Sequence, residues 1–86
     1  MVAPYNNINI TMYTKANCPN CVTAKLILGA AGLKYADVDI EVGERMANLL
    51  KEFPDARQMP QIFINDQRVG GLAGLQVALR QLGVLV

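Results

Sequence analysis

The two cysteines, Cys18 and Cys21, are the residues whose type and spacing best suit chemistry. They follow a run of β-forming residues at 8–13 and open a run with helical periodicity at 22–31. A cysteine at the start of a helix faces backbone N–H groups that lack helical partners, and these groups favour a thiolate. Cys21 lies one turn further on, within reach of Cys18 for a disulfide. The pattern therefore predicts thiol–disulfide exchange, with Cys18 as nucleophile and Cys21 as resolving thiol.

Two neighbouring residues strengthen this prediction. Pro19 would occupy the first helical position, where its missing N–H costs nothing and its fixed φ suits the helix. Lys15 adds a positive charge close to Cys18. We therefore expect the pKa of the Cys18 thiol to lie below its ordinary value of about 8.5.

The cysteine pair has two alternative interpretations. It could be half of a zinc site, but the sequence has no histidine and no third cysteine, so zinc would require a dimer or several carboxylates. The two cysteines could also be inert, since free cysteine often packs as a small apolar residue. The strand–CxxC–helix context favours the redox interpretation.

Composition excludes several other classes of protein. The 86 residues predict a single domain spanning 1–86, and 52% hydrophobic residues suffice for one core. A net charge of +1 argues against binding to nucleic acid or a membrane surface through bulk charge. No apolar run is long enough to span a membrane, and no signal peptide is evident, so we expect a cytoplasmic protein. In that reducing compartment a disulfide would be transient and catalytic.

Periodicity predicts seven elements in the order β-α-β-α-β-β-α. The strands are expected at 8–13, 33–40, 61–64 and 67–69, and the helices at 19–31, 43–53 and from 72 to about 82. The first strand–helix–strand unit predicts parallel strands, and Asn65-Asp66 predicts a hairpin turn. Lys25 is expected to be solvated, residues 1–7 to be irregular, and the tail 84–86 to pack on the body. The predicted fold is α/β, a four-stranded mixed sheet with helices on both faces.

The predicted third helix carries its apolar stripe on four leucines, which are Leu72, Leu75, Leu79 and Leu82.

Four segments, in order and over nearly the whole chain, resemble the glutaredoxin family of thioredoxin-fold proteins. They are Tyr13-Thr14-Lys15 with Cys18-Pro19-Asn20-Cys21; Ala24-Lys25 and Ile27-Leu28 with Gly32; Met59-Pro60-Gln61-Ile62-Phe63-Ile64; and Gly70-Gly71. The resemblance implies a monomeric, glutathione-dependent dithiol oxidoreductase with no tightly bound cofactor or metal. Glutathione would be its co-substrate, and disulfide-containing proteins, among them ribonucleotide reductase, would be its partners.

The resemblance also implies roles for individual residues. The Met59–Pro60 peptide bond would be cis and face Cys18, although trans is the default for a bond preceding proline. The Met59 backbone could then pair with glutathione or a substrate peptide as an added strand. Basic and amide side chains would contact the carboxylates of glutathione. These contacts are assigned to Lys15, Arg57 and Gln58, and the rest of the predicted ligand site consists of Pro19, Asn20, Gly70, Gly71 and Leu72.

The chain departs from the family pattern at two places. Asn20 stands where the family usually has an aromatic residue, and Leu72-Ala73-Gly74 stands where it usually has a small polar residue and an acid. The α-amino group of glutathione would lack its carboxylate partner. This favours a second hypothesis, a glutaredoxin-like redoxin that thioredoxin reductase reduces and that donates hydrogen to ribonucleotide reductase. A third hypothesis is an iron–sulfur cluster bridged between two protomers through Cys18 and two glutathiones.

Overall fold

The computed structural model describes residues 8–84, which contain the seven predicted elements in the predicted order. They are β1 (Ile10–Thr14), α1 (Pro19–Ala30), β2 (Ala36–Asp39), α2 (Arg45–Glu52), β3 (Gln61–Ile64), β4 (Gln67–Gly70) and α3 (Leu72–Gln81). The irregular lead at 1–7 and the tail residues 85–86 lie outside the described residues.

The strands form one four-stranded mixed sheet in the order β2-β1-β3-β4. β1 pairs with β2 in parallel orientation, whereas β1 with β3 and β3 with β4 are antiparallel pairs. Asn65 and Asp66 join β3 to β4 with φ angles of 51° and 66°. A two-residue turn with both residues in the left-handed region matches the twist of the flanking strands, which explains the hairpin.

Each face of the sheet carries its own apolar cluster because strand side chains alternate between faces. On one face, Ile10 and Ile62 pack with Leu28 of α1 and Leu75 of α3. On the other face, a cluster centred on Leu49 of α2 includes both cysteines and Met59, with Tyr13 and Phe63 packed against it. The predicted layer arrangement, with helices on both faces, is confirmed.

The second strand is shorter than predicted because its first residues complete the end of α1. The N–H of Gly32 donates to the carbonyl oxygen of Gly29 at 3.1 Å, and the N–H of Leu33 donates to that of Leu28 at 3.0 Å. Gly32 has a φ of 72°, so this is a glycine-terminated helix end. The strand therefore begins at Ala36.

Other boundaries also differ from the predictions. β1 begins at Ile10, because Asn9 instead pairs with the hairpin turn, where its N–H donates to Asn65 Oδ1 at 2.9 Å. α2 begins at Arg45, two residues later than predicted. α3 ends at Gln81, and Leu82, the last of the four leucines that marked this helix in the sequence, is its C-cap residue and is 43% exposed.

Lys25 is partly exposed, with 37% of its side-chain surface accessible, and it also forms an ion pair that the sequence did not indicate. Its Nζ lies 2.7 Å from Asp37 Oδ2, which joins α1 to the edge strand β2. The hydroxyl of Thr14 donates to Asp37 Oδ1 at 2.6 Å. The hydrogen bond from Lys25, followed by the one from Thr14, lowers the pKa of Asp37. The same bond to Asp37 raises the pKa of Lys25. The pair therefore stabilises the region where β1 leads into the cysteine loop.

Candidate active site

Cys18 occupies the N-cap of α1, as predicted. Its backbone is extended, with φ −118° and ψ 97°, and its Sγ accepts a hydrogen bond from the N–H of Cys21 at 3.1 Å. Pro19 is the first helical residue. Both cysteines are almost fully buried, and they are joined by a disulfide. The helix start thus supplies a backbone donor to the sulfur atom, the arrangement that favours a thiolate when the disulfide is reduced.

The segment before β3 lies opposite this sulfur atom. The carbonyl oxygen of Met59 is 3.5 Å from Cys18 Sγ. The Met59–Pro60 peptide bond is cis, as the resemblance implied. Met59 is itself buried and belongs to the same apolar cluster as both cysteines.

A cavity of about 400 Å³ adjoins this segment and the start of α3. Its described lining residues are Asn20, Gln58, Met59, Pro60, Gln61, Gly71, Leu72, Ala73, Gly74 and Gln76. Six of the residues predicted for the ligand site therefore meet around one space. The other four, Lys15, Pro19, Arg57 and Gly70, are not among the described lining residues, and Lys15 and Arg57 are exposed.

The prediction missed two polar residues of this cavity, Gln61 and Gln76. With Asn20 and Gln58 they give the cavity four carboxamide side chains, and none of its described lining residues is ionisable. A signal for Gln76 was available, because it lies four residues after Leu72 and so on the same face of a helix. Gln61 follows Pro60 directly, but no periodicity marks it as part of a site.

Gln61 is held in one orientation by a network of polar contacts. Its Oε1 accepts from Arg68 Nε at 3.1 Å, and its Nε2 donates to the carbonyl oxygen of Gln58 at 2.8 Å. Arg68 also pairs with Asp55 at 2.8 Å and lies 5.3 Å from the centre of the Phe53 ring. The hydrogen bond from Arg68 lowers the pKa of Asp55. These contacts link the two strands of the hairpin to the loop that carries Met59.

The start of α3 packs tightly against the end of β4. A Cβ atom added at Gly74 would lie 1.8 Å from the carbonyl oxygen of Val69, a distance that real atoms do not tolerate. Gly71 forms the N-cap of α3, and an added Cβ there would lie 3.5 Å from the carbonyl oxygen of Pro60. Gly70 needs glycine for another reason, its φ of 94°. The close packing at Gly74 places the first turn of α3 beside the cavity.

Three further findings concern residues 8–84. They contain no group of three or more histidine, cysteine or acidic side chains arranged to hold a metal ion. None of their helices combines the length and the apolar character that crossing a membrane requires. A second cavity, of about 460 Å³, lies between α2 and the sheet, and its described lining residues include none of those predicted for the site.

The chain has a mixed four-stranded sheet with helices on both faces, and its Cys18–Cys21 disulfide lies at the start of a helix. These features define a thioredoxin-fold thiol–disulfide oxidoreductase. A family model described as "Glutaredoxin" matches residues 10–69. The chain belongs to the glutaredoxin family.

Named relatives agree with this assignment. The chain is 36% identical over 67 residues to a glutaredoxin of Neisseria meningitidis, and the aligned region covers 77% of this chain and 79% of the relative. It is 35% identical over 63 residues to a probable glutaredoxin of Synechocystis, which covers 72% of this chain. That match spans only 58% of the Synechocystis protein.

Solved structures support the fold. Glutaredoxin 1 from Francisella tularensis, crystallised with cacodylate, superposes with a TM-score of 0.72 at 23% identity, over 87% of this chain and 95% of that one. Buckwheat glutaredoxin in complex with glutathione superposes with a TM-score of 0.69 at 20% identity, over 94% of this chain and 84% of that one.

Proposed function

We propose that this chain reduces protein disulfides or glutathione mixed disulfides through Cys18 and Cys21, with glutathione as the electron donor. The observation that carries the proposal is the position of Cys18 at the N-cap of α1, where the N–H of Cys21 contacts its sulfur. A backbone donor at a helix start favours the thiolate, which is the attacking species in disulfide exchange.

The proposed reaction balances as follows. The Cys18 thiolate attacks one sulfur of the substrate disulfide, forms a mixed disulfide and releases the other sulfur as a thiolate. Cys21 loses its proton and attacks Cys18 Sγ, which forms the Cys18–Cys21 disulfide and releases the second substrate thiolate. Two glutathione molecules then reduce this pair and become glutathione disulfide. Two electrons pass from glutathione to the substrate.

Glutathione would bind along the Met59–Pro60 segment. The Met59 backbone, close to Cys18, is suited to pair with an extended ligand. Gln58 lines the adjoining cavity, and the exposed Lys15 and Arg57 would contact the ligand carboxylates from outside it. The buckwheat complex supports glutathione as a ligand of this fold.

Matched serine variants test the proposal. Cys18→Ser should abolish every exchange reaction. Cys21→Ser should lose reduction of protein disulfides but keep part of the activity on glutathione mixed disulfides, because that reaction needs one thiol. Equal and complete loss in both variants on a glutathionylated substrate would contradict the assigned roles.

One observation favours a second candidate, a redoxin that thioredoxin reductase reduces and that serves ribonucleotide reductase. The described lining of the cavity offers no charged side chain to a glutathione molecule. Turnover with glutathione and glutathione reductase, compared with turnover with thioredoxin reductase, separates the two donors. The visible absorbance of freshly purified protein tests the third hypothesis, an iron–sulfur cluster.

A further inference from the structure

The loop between α2 and β3, residues 54–60, carries a backbone carbonyl that contacts the reactive sulfur. The Met59 carbonyl oxygen lies 3.5 Å from Cys18 Sγ. The backbone hydrogen bonds described for this loop are donated by the N–H groups of Ala56 and Arg57, so they close only its first half. The orientation of the peptide groups near Met59 therefore depends on side-chain contacts.

One side chain of β4, that of Arg68, contacts both ends of this loop. Its guanidinium lies 5.3 Å from the centre of the Phe53 ring, and its Nη1 is 2.8 Å from Asp55 Oδ1. At the other end of the loop, its Nε donates to Gln61 Oε1 at 3.1 Å. Arg68 therefore ties the end of α2 and the start of β3 together.

The contact with Gln61 is the one that reaches the backbone beside the sulfur. The Asp55 side chain is 78% exposed, and an ion pair so open to water contributes little. Gln61 is 6% exposed, and its Nε2 donates to the Gln58 carbonyl oxygen at 2.8 Å. Without Arg68 the buried oxygen of this carboxamide would lose its donor, so the side chain would reorient. The Gln58 carbonyl, and the Met59 backbone after it, would then lose their restraint.

Two backbone groups act on the Cys18 sulfur in opposite senses. The N–H of Cys21, at 3.1 Å, favours the thiolate. The Met59 carbonyl presents the negative end of its dipole, and once the disulfide is reduced it can accept the S–H of a neutral thiol. Hydrogen bonding to the neutral form raises the pKa of a thiol. The carbonyl therefore limits how far the helix start lowers the pKa of Cys18.

We propose that Arg68 is a positioning residue for thiol–disulfide exchange, and that it acts through Gln61 to hold the Met59 carbonyl against the Cys18 sulfur. The benefit is reactivity, because a thiolate that is stabilised too strongly is a poorer nucleophile. The inference rests on the proposed role of Cys18 as the attacking thiol, but it does not depend on which donor reduces the protein.

The charges around Cys18 allow this effect to be separated from a change in electrostatics. Besides the Cys21 thiol, the ionisable groups of the surrounding elements are those of Tyr13, Lys15, Asp39, Glu41, Asp55 and Arg57, and the exposed charges of α2 at 45–52. A substitution at Gln61 leaves all of them in place. A substitution of Arg68 removes a cation, which by itself would raise the pKa of a thiol, whereas loss of the carbonyl contact would lower it.

The test measures how fast Cys18 attacks a small uncharged disulfide, hydroxyethyl disulfide, as a function of pH. The proteins also carry Cys21→Ser, so that a single thiol reacts. Gln61→Met keeps the length of the side chain and removes its bonds to Arg68 and to the Gln58 carbonyl. An ordinary hydrogen bond corresponds to about 0.4–1 pKa unit, so the midpoint should fall by about that much. The plateau rate at high pH should fall about 1.5- to 3-fold, because nucleophilicity falls with pKa.

Asp55→Asn is the matched control, because it removes the ion pair of the same arginine and leaves the bond to Gln61. It should change neither the midpoint nor the plateau rate. An unchanged midpoint in folded Gln61→Met, or an equal fall in Asp55→Asn, would overturn the inference. A faster plateau rate in Gln61→Met would also overturn it, since the substitution would then only loosen the loop and expose the sulfur.

A variant of Arg68 covers the case in which Gln61→Met does not fold. Arg68→Met should lower the midpoint even though it removes a cation. A midpoint that rises or stays the same in folded Arg68→Met would overturn the positioning role. Failure of the proposed function looks different, because the protein with an intact Cys18 would then not react with the disulfide, or Cys18→Ser would react equally fast.

Discussion

The departure from the family pattern at the start of α3 leads to a prediction about glutathione. Ala73 is the second residue of α3, is exposed, and lines the cavity beside Met59. An acid introduced there, as Ala73→Asp, would face the space in which the α-amino group of glutathione is proposed to lie. Gly74 is unsuitable for the same purpose, because its Cβ would collide with the Val69 carbonyl oxygen at 1.8 Å.

The expected gain follows from the exposure of the site. A hydrogen bond to a charged group contributes about 1.5–3 kcal/mol, or roughly ten- to a hundred-fold in affinity. Exposed ion pairs contribute only about 0.2–1 kcal/mol, since water screens them. Because Ala73 is exposed, we expect KM for glutathione to fall by about two- to ten-fold. The new acid also lies in the first turn of α3 and should stabilise the helix by about 0.3–1 kcal/mol.

The assay is turnover coupled to glutathione reductase, with glutathione as the varied substrate. Ala73→Asn is the matched control, because it has the same shape without the charge. The wild-type protein should turn over but saturate weakly. The gain in Ala73→Asp should shrink when salt is raised, since it depends on a partly solvated charge pair.

Three results would refute the reasoning. Equal KM values for Ala73→Asp and Ala73→Asn would show that charge is not the cause. An unchanged KM in a stabilised Ala73→Asp protein would place the amino group of glutathione away from α3. Saturation of the wild-type protein at low micromolar glutathione would show that no partner is missing.

Other regions of the chain yield further predictions. Gly74→Ala should lower the free energy of unfolding by about 1–3 kcal/mol or more in denaturant titrations, whereas Gly29→Ala, with open space at its Cβ, should raise it by about 0.5–1 kcal/mol. Asp37→Asn should cost up to about 1 kcal/mol near pH 7. Because the pKa of Asp37 is lowered in the fold, the stabilisation by its carboxylate is present above the ordinary value of 3.8 and is lost as pH falls through the folded value. The free energies of unfolding of the wild-type and Asp37→Asn proteins, measured by denaturant titration, should therefore become equal in acid. When the rate at which iodoacetamide alkylates Cys18 in the reduced protein is measured against pH, its midpoint should lie below about 8.5. A midpoint at or above that value would contradict the role of the helix start.

The local order of the fold was predictable from the sequence because it depends on neighbours. Cys18 and Pro19 mark the start of α1 by their own backbone preferences, and the turn at Asn65 and Asp66 follows from the few residues that tolerate positive φ. The length of β2 was not predictable in this way. Leu33 belongs to an apolar, strand-like run, but its N–H is used to close α1.

The resemblance to glutaredoxins, rather than any local pattern, placed Met59 opposite Cys18. Periodicity assigns side chains to faces of single elements, but it carries no information on which distant elements meet. The ion pair of Lys25 with Asp37 illustrates the limit, since the two residues look like ordinary surface charges in the sequence.

The sequence by itself indicated the redox chemistry of this protein, because two cysteines one turn apart, after a strand and at the start of a helix, favour it over a zinc site or inert packing. Only the tertiary structure decided what surrounds that chemistry. Gln61 and Gln76 come from a strand and a helix that are separated along the chain, and they share one cavity because α3 packs directly on the backbone of Val69. That packing requires Gly74, since any side chain there would push the first turn of α3 away from β4. The polar character of the site therefore depends on contacts between elements, which local sequence preferences do not determine.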